Sequence, residues 1–118
     1  MEELSEEQSQ QLQVALEGLL VALQDDLERS AAAGQAVDLD QPIGRLSRMD
    51  ALQQQKMVQA QRARVQLRLG QVKAALAAFE RDEYGECRLC AEPIGFKRLS
   101  VRPEAPFCVQ CRSRAERS

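Results

Sequence analysis

The segment that decides the fold is Cys87-Arg-Leu-Cys90, followed seventeen residues later by Cys108-Val-Gln-Cys111. These are all four cysteines of the chain. Two CxxC pairs about 15 to 20 residues apart are typical of a zinc site, because each turn presents two thiolates and two turns complete a tetrahedron. Four thiolates fill the coordination sphere and the chain has no histidine, so the spacing predicts one structural zinc ion and not a catalytic metal.

Two other uses of the cysteines fit the sequence less well. Two disulfides would be typical of an exported chain, but the acidic start of this sequence is the reverse of a signal peptide's basic start. A redox CxxC pair normally lies in a βαβ pattern, which is absent here. No apolar run approaches the roughly 20 residues that span a bilayer. We therefore expect a cytoplasmic protein without membrane association.

The N-terminal two-thirds of the chain predicts two long helices joined by a turn. The first helix is expected over residues 4–33, with Ser5 near its cap, and the second over residues 45–82. The intervening residues 34–44 are rich in Gly, Asp and Pro, which favours a connector at the tip of a hairpin. The leucines of the first helix recur at steps of three and four and form one stripe: Leu12, Leu16, Leu19, Leu20, Leu23 and Leu27.

The second helix carries two apolar stripes. The first has the larger side chains: Val58, Val65, Leu69, Val72, Leu76 and Phe79. The second has mostly small ones, which predicts that a neighbouring helix approaches closely there: Ala60, Ala63, Leu67, Gly70, Ala74 and Ala77. Isolated helices are marginal in water, so each stripe needs a partner. The short connector favours an antiparallel coiled-coil hairpin in a monomer, with a parallel coiled-coil dimer as the alternative.

The charges are distributed unevenly along the chain. Residues 1–33 carry eight acids and one arginine, whereas residues 45–79 carry seven bases and one acid. Residues 84–118 carry seven bases and four acids. Opposite charges favour pairing of the two helices within one chain, and the basic segments could also meet an acidic partner or a phosphate ligand. With no tryptophan, one tyrosine and three phenylalanines, a large globular core is not expected.

These features predict an all-α architecture in two parts. Residues 1–83 are expected to form the coiled-coil hairpin, and residues 84–118 the C4 zinc finger with a short helical tail. The finger has few apolar residues, so zinc binding should supply much of its folding free energy. An enzyme is not expected, because the chain has no histidine, no nucleophile–base arrangement and a closed metal site.

The zinc segment resembles the C4 finger of the DksA/TraR family at more positions than its cysteines. The shared features are Tyr84-Gly85 before the first pair, Ile94-Gly95, Arg98-Leu99 and Arg102-Pro103. The resemblance is close over about the last 35 residues and extends to the rest of the chain through the two-helix architecture. It implies a transcription regulator that binds bacterial RNA polymerase through the secondary channel, often together with the alarmone ppGpp, without sequence-specific DNA binding.

The resemblance also implies site residues. Arg64, Arg102 and Arg112 match basic positions of the family's ppGpp site, whereas Gln71 stands where a lysine is usual. Guanidinium groups suit phosphates because they form bidentate hydrogen bonds. Alternatively, these arginines pair with acids of the chain: Glu80, Glu83 or Glu116.

The chain departs from the family at the tip and in the finger. The family's Asp-x-x-Asp-x-Ala tip motif would fall on residues 44–49, where none of its three key positions matches. The nearby acids Asp38, Asp40 and Asp50 are the remaining candidates to face the polymerase, or they simply solvate the turn. Ala91 stands where the family has Gly after the first CxxC, and a positive φ there would cost Ala roughly 1 kcal/mol.

Two other functions remain open from the residues alone. The first is a zinc module that binds nucleic acid through the basic tail, although the chain lacks the exposed aromatic run of a stacking platform. The second is a thiol or zinc redox sensor that releases its metal on oxidation.

Overall fold

The structure is a computed structural model that describes the backbone of residues 3–35 and 44–117 and the side chains of residues 3–31 and 48–114. Helix α1 spans Glu6–Gln35 and helix α2 spans Gly44–Glu80. Two short helices follow, α3 at Phe96–Val101 and α4 at Val109–Arg117. The expected fold class is confirmed: α1 and α2 pack as a long hairpin, and a small zinc finger with a helical tail follows.

Local signals set the ends of the long helices. The Ser5 hydroxyl accepts a hydrogen bond from the Gln8 amide at 3.1 Å, and the Gln8 side chain accepts one from the Ser5 amide at 3.0 Å. This reciprocal capping box starts α1 where the sequence predicted a cap. Helix α2 ends two residues before the predicted position, because Asp82 adopts a left-handed φ of 56° and the Glu83 amide bonds back to the Ala78 carbonyl at 2.9 Å.

The hairpin core confirms the two main stripes. The buried side chains come from facing positions of the two helices, and Leu16 and Val72 are fully buried. The core consists of Leu16, Leu23, Leu69, Val72 and Ala75, flanked by Leu19, Leu20, Leu27, Val65, Leu76 and Phe79. The apolar face of each helix is therefore covered by the other helix of the same chain, as the antiparallel hairpin requires.

The prediction for the small-residue stripe of α2 is wrong. Leu67 is 67% exposed, and a Cβ placed on Gly70 would meet no atom within 4 Å. Leu67 precedes the buried Val72 by five residues, which is about 140° around a helix, so the stripe lies on the outer side of the hairpin. The small residues that are buried are instead Ala75 and Ala78.

The two arms are also linked by polar groups. Arg62 of α2 donates hydrogen bonds to the Leu27 carbonyl and the Ser30 hydroxyl of α1. Among residues 3–31 and 48–114, no salt bridge joins α1 to α2. Within these residues, the opposite charges of the two helices therefore attract each other over longer distances and do not form ion pairs.

The molecule is elongated, with extents of 60 × 32 × 20 Å. The first turns of α1 lie at the finger end, since Leu12 belongs to the finger's core and Leu4 packs against it. None of the described helices is long and apolar enough to cross a membrane.

Candidate metal centre and basic junction

Two backbone turns present the cysteines. In the first turn the Ala91 amide bonds to the Cys87 carbonyl at 2.8 Å, and in the second the Arg112 amide bonds to the Cys108 carbonyl at 2.9 Å. Ala91 adopts a φ of 63°, so the expected left-handed conformation after the first CxxC is confirmed. An Ala in this region is strained, because its Cβ crowds the following carbonyl oxygen.

The sulfur positions fit a tetrahedral metal site. The four Sγ atoms lie within 4.8 Å of one another, and those of Cys90 and Cys108 are 3.7 Å apart. A tetrahedron with Zn–S bonds of about 2.3 Å places its sulfurs about 3.8 Å apart, whereas a disulfide bond measures about 2.05 Å. All four cysteines are free thiols. The donor set therefore matches zinc, and the two-disulfide alternative is wrong.

The thiols of the site differ in acidity before a metal neutralises them. Burial raises the pKa of Cys87, but hydrogen bonds from the backbone of Cys108, Cys90 and Leu89 outweigh it and lower that pKa to about 6. Hydrogen bonding to Cys108, together with burial, raises the pKa of Cys111 to about 12. Thiols this close cannot all ionise without a cation among them. Zinc binding must therefore release protons, which makes it pH-dependent.

The finger surrounds this site with a core of its own. The core comprises Leu12, Ile94, Leu99 and Ala105 together with Cys87, Cys108 and Cys111, and it is flanked by Leu4, Tyr84, Phe96 and Phe107. Leu99 is fully buried in α3, and the Arg98 side chain donates to the Phe107 carbonyl at 3.1 Å. Because Leu12 comes from α1, the finger is packed onto the hairpin and does not hang from a free linker.

A buried acid connects the hairpin to the finger. The Glu104 side chain is fully buried, and its Oε2 accepts a hydrogen bond from Nε of Arg68 in α2. Nε of Arg102 lies 3.8 Å from the same oxygen. Buried carboxylates require such partners, because an unpaired charge is strongly disfavoured away from water. Sequence reasoning missed both Glu104 and Arg68, and the only available signal was an acid between Pro103 and Pro106.

Tyr84 forms a second link at the same junction. Its hydroxyl donates to the Pro103 carbonyl at 2.9 Å, and its ring stacks on Phe79 of α2 with the ring centroids 4.1 Å apart. Burial, with a contribution from the negative charge of Glu104, raises the pKa of Tyr84 well above its usual value. The phenol is therefore held as a neutral hydrogen-bond donor.

The zinc segment matches a known family. The profile of the prokaryotic DksA/TraR C4-type zinc finger covers residues 82–117. The solved structure of transcription factor DksA2 from Pseudomonas aeruginosa superposes with a TM-score of 0.78 at 26% identity, covering 96% of this chain and 86% of that one. The chain is therefore DksA-like in its finger and in its overall fold. Its finger binds one structural zinc ion, as the C4 match and the cysteine cluster indicate together.

Two relatives extend this DksA-like assignment. The RNA polymerase-binding transcription factor DksA of Escherichia coli K12 is 26% identical over 117 residues, which are 98% of this chain and 76% of that protein. The protein of the same name from Haemophilus influenzae is 40% identical over 45 residues, which are 38% of this chain and 31% of the relative. The identity is therefore higher over a short segment of 45 residues than over the whole chain.

The structure separates the three arginines named from the DksA/TraR resemblance. Arg64 and Arg102 line one cleft of about 540 Å³, together with Arg68 and Gln71. Arg112 lines a neighbouring cleft of about 930 Å³, whose wall also includes Arg102. Arg102 thus lies between the two clefts and connects them.

Two of the three acids expected to pair with these arginines have another partner or lie outside the described side chains. Arg102 pairs with Glu104, and Glu83 pairs with Arg81 at 3.1 Å. The side chain of Glu116 lies outside the described residues. At the tip, Asp38 and Asp40 lie outside the described residues. Asp50 is exposed, seven residues into the range of α2.

Proposed function

We propose that this protein binds bacterial RNA polymerase and regulates transcription, with zinc as a structural ion and no enzymatic activity of its own. The observation that carries the proposal is the agreement with DksA-type proteins along the whole chain, hairpin included. A shared finger alone would support only a shared zinc module. The protein would act in the cytoplasm. It would be a monomer, because the hairpin covers the two main apolar stripes, those around Leu16 and Val72, within one chain.

The shape supports entry into the polymerase's secondary channel. Helix α2 has 37 residues, which corresponds to about 55 Å of helix, and two helices side by side are about 20 Å wide. Such a rod can reach into a narrow pore, while the wider finger end stays at the rim. In this arrangement the tip, with Asp38, Asp40 and Asp50, would approach the polymerase's active site and alter the stability of promoter complexes.

We further propose that the basic junction binds ppGpp. The cleft shared by Arg64 and Arg102 lies where the finger meets the hairpin, and its guanidinium groups suit phosphate oxygens. Arg112 borders the adjoining cleft and would contact a ligand that extends past Arg102. A nucleic-acid module or a redox sensor is not favoured, since the relatives are named for binding RNA polymerase.

The test combines a binding and a transcription measurement on the zinc-loaded protein. Fluorescently labelled protein is titrated with bacterial core polymerase, and abortive initiation is then followed at a stringently regulated ribosomal promoter with and without ppGpp. We expect micromolar or tighter binding and inhibition that ppGpp strengthens. Absence of binding at tens of micromolar protein would refute the proposal.

A tip variant separates binding from regulation. The triple substitution Asp38→Asn, Asp40→Asn and Asp50→Asn should leave polymerase binding intact and reduce the effect on abortive initiation. Glu17→Gln is the matched control, because it removes an exposed acid of α1 away from the tip. Equal transcription effects of the wild-type protein, the triple variant and the control would show that the tip acids have no regulatory role.

A further inference from the structure

Three guanidinium groups line the cleft at the junction, although the family resemblance named only two of its residues. Arg64 and Arg68 are four residues apart on α2 and therefore lie on the same helix face, and Arg102 approaches from the segment after α3. Asp26 of α1 lines the same cleft. Cations rarely converge in this way without a compensating group, because they repel one another.

The compensating group is Glu104, which lies behind the arginines. Arg68 and Arg102 both line the cleft, and both turn their Nε toward Oε2 of Glu104. The carboxylate itself does not line this cleft. An arginine that uses Nε for one partner still has four N–H donors on Nη1 and Nη2. Each of the two guanidinium groups therefore keeps the paired donors that bind a phosphate in a bidentate manner.

The exposure of the three side chains fits this division of roles. The Glu104 side chain is 0% exposed, whereas those of Arg68 and Arg102 are 38% and 56% exposed. The acid is thus enclosed by protein and the arginines retain access to solvent. A fully buried ion pair would enclose both partners. Here only the carboxylate is enclosed, and the arginines still border a cleft large enough for a nucleotide.

We propose that Arg68 joins Arg64 and Arg102 in binding the phosphates of ppGpp, and that Glu104 is the positioning residue that holds Arg68 and Arg102 at the cleft. This inference rests on the ppGpp binding proposed above. It also accounts for Gln71 at a position where the family has a lysine: Arg68 lies one helical turn before Gln71 on the same cleft wall and supplies the missing cation.

The test uses two carboxylates that border the same arginines. Glu104→Gln keeps the size of the side chain and removes its charge, and Asp26→Asn does the same for the acid that lines the cleft itself. If the cleft responds only to net charge, both substitutions tighten ppGpp binding. If Glu104 positions the arginines, Glu104→Gln weakens ppGpp binding by about tenfold, while Asp26→Asn tightens it a few-fold.

A third variant keeps the positive charge and changes only the hydrogen-bonding geometry. Arg68→Lys retains a cation but loses the planar fork and the Nε–H that reaches Glu104, so ppGpp binding should again weaken by about tenfold. Dissociation constants for ppGpp are measured by calorimetry on the zinc-loaded protein, alone and bound to core polymerase. GDP is the reference ligand because it lacks the second diphosphate. Zinc content and melting temperature are recorded for each variant, and only variants that match wild type in both are compared.

The outcomes are distinguishable. Weaker binding in Glu104→Gln and Arg68→Lys, with tighter binding in Asp26→Asn, supports the inference. Unchanged or tighter binding in Arg68→Lys overturns it while leaving the ppGpp proposal intact. If the wild-type protein binds polymerase but does not bind ppGpp in either state, the inference and the ppGpp proposal both fail and the polymerase proposal stands.

Discussion

Replacing Ala91 with glycine should tighten zinc binding. Ala91 is exposed and adopts a φ of 63°, and its amide closes the first cysteine turn by bonding to the Cys87 carbonyl. A left-handed conformation costs an L-residue about 1 to 2 kcal/mol, and glycine avoids that cost. Glycine also gives the unfolded chain more freedom, which costs about 0.4 to 1 kcal/mol. Subtracting the middle of the second range from the middle of the first leaves a gain of about 0.8 kcal/mol.

This gain should appear as metal affinity, since zinc binding and folding of the finger are coupled. A gain of this size corresponds to a zinc dissociation constant that is about two- to fivefold lower. The assay is competition for zinc with a chromophoric chelator at constant pH, because the thiols release protons when zinc binds. Ala63→Gly is the control: Ala63 is exposed on α2, so glycine there should destabilise the hairpin by up to about 1 kcal/mol and leave zinc affinity unchanged.

The reasoning about Ala91 fails if Ala91→Gly binds zinc as the wild type does, or more weakly. Such a result would mean that the finger relieves the strain at this turn by other means, or that the entropy of the unfolded chain outweighs it. Weaker zinc binding in Ala63→Gly would instead show that zinc affinity responds to the stability of the whole molecule.

Three further predictions concern the core, the junction and the metal. Leu16→Ala removes a fully buried side chain and should lower the free energy of unfolding, measured by urea denaturation, by about 3 kcal/mol. Val14 is 68% exposed, so the control Val14→Ala should change the free energy of unfolding by less than about 0.5 kcal/mol. Because the pKa of Tyr84 is raised in the folded protein, its phenol ionises at lower pH in the unfolded state than in the folded state. The contribution of Tyr84 to the free energy of unfolding is therefore complete below about pH 10 and decreases as the pH rises further. Tyr84→Phe should reduce this pH-dependent loss in melting curves recorded between pH 8 and 11. Removing zinc with a chelator should unfold the finger but leave most of the helical circular dichroism, because α1 and α2 contain most of the helical residues. The fluorescence of Tyr84, the chain's one tyrosine, should report the unfolding of the finger. Loss of nearly all helicity would contradict this prediction.

The parts of the fold that could be predicted are those encoded by local patterns. The cysteine spacing identifies the zinc site because both turns are short and self-contained. The leucine stripe around Leu16 and the stripe around Val72 identify the hairpin because burial follows the helical period. The same reasoning failed for the stripe around Leu67, since periodicity alone does not tell which of two apolar faces is covered. The larger side chains lie on the buried face, and burying them removes more apolar area from water.

The junction could not be predicted, because its contacts join residues far apart in sequence. Arg68 and Glu104 are 36 residues apart, and no spacing rule links them. Their contact exists only once the finger has folded around zinc and docked against α2. The arginines named by resemblance illustrate the same limit: Arg64 and Arg102 share a cleft, whereas Arg112 borders the next one. Matching sequence positions to the family identified the three arginines, but not which of them line the same cleft.

The contacts at the junction differ in kind, and this difference bears on how the protein would work. Leu12 packs into the finger's core and Tyr84 stacks on α2, so the finger is fixed to both arms of the hairpin. The Arg68–Glu104 pair then fixes its orientation, since a hydrogen-bonded carboxylate tolerates less displacement than an apolar contact. A finger held in this way at the polymerase's rim would set the direction of the rod. A ligand bound beside Arg68 would therefore act on the contact that controls the angle between finger and rod, roughly 36 Å along α2 from the start of that helix at Gly44.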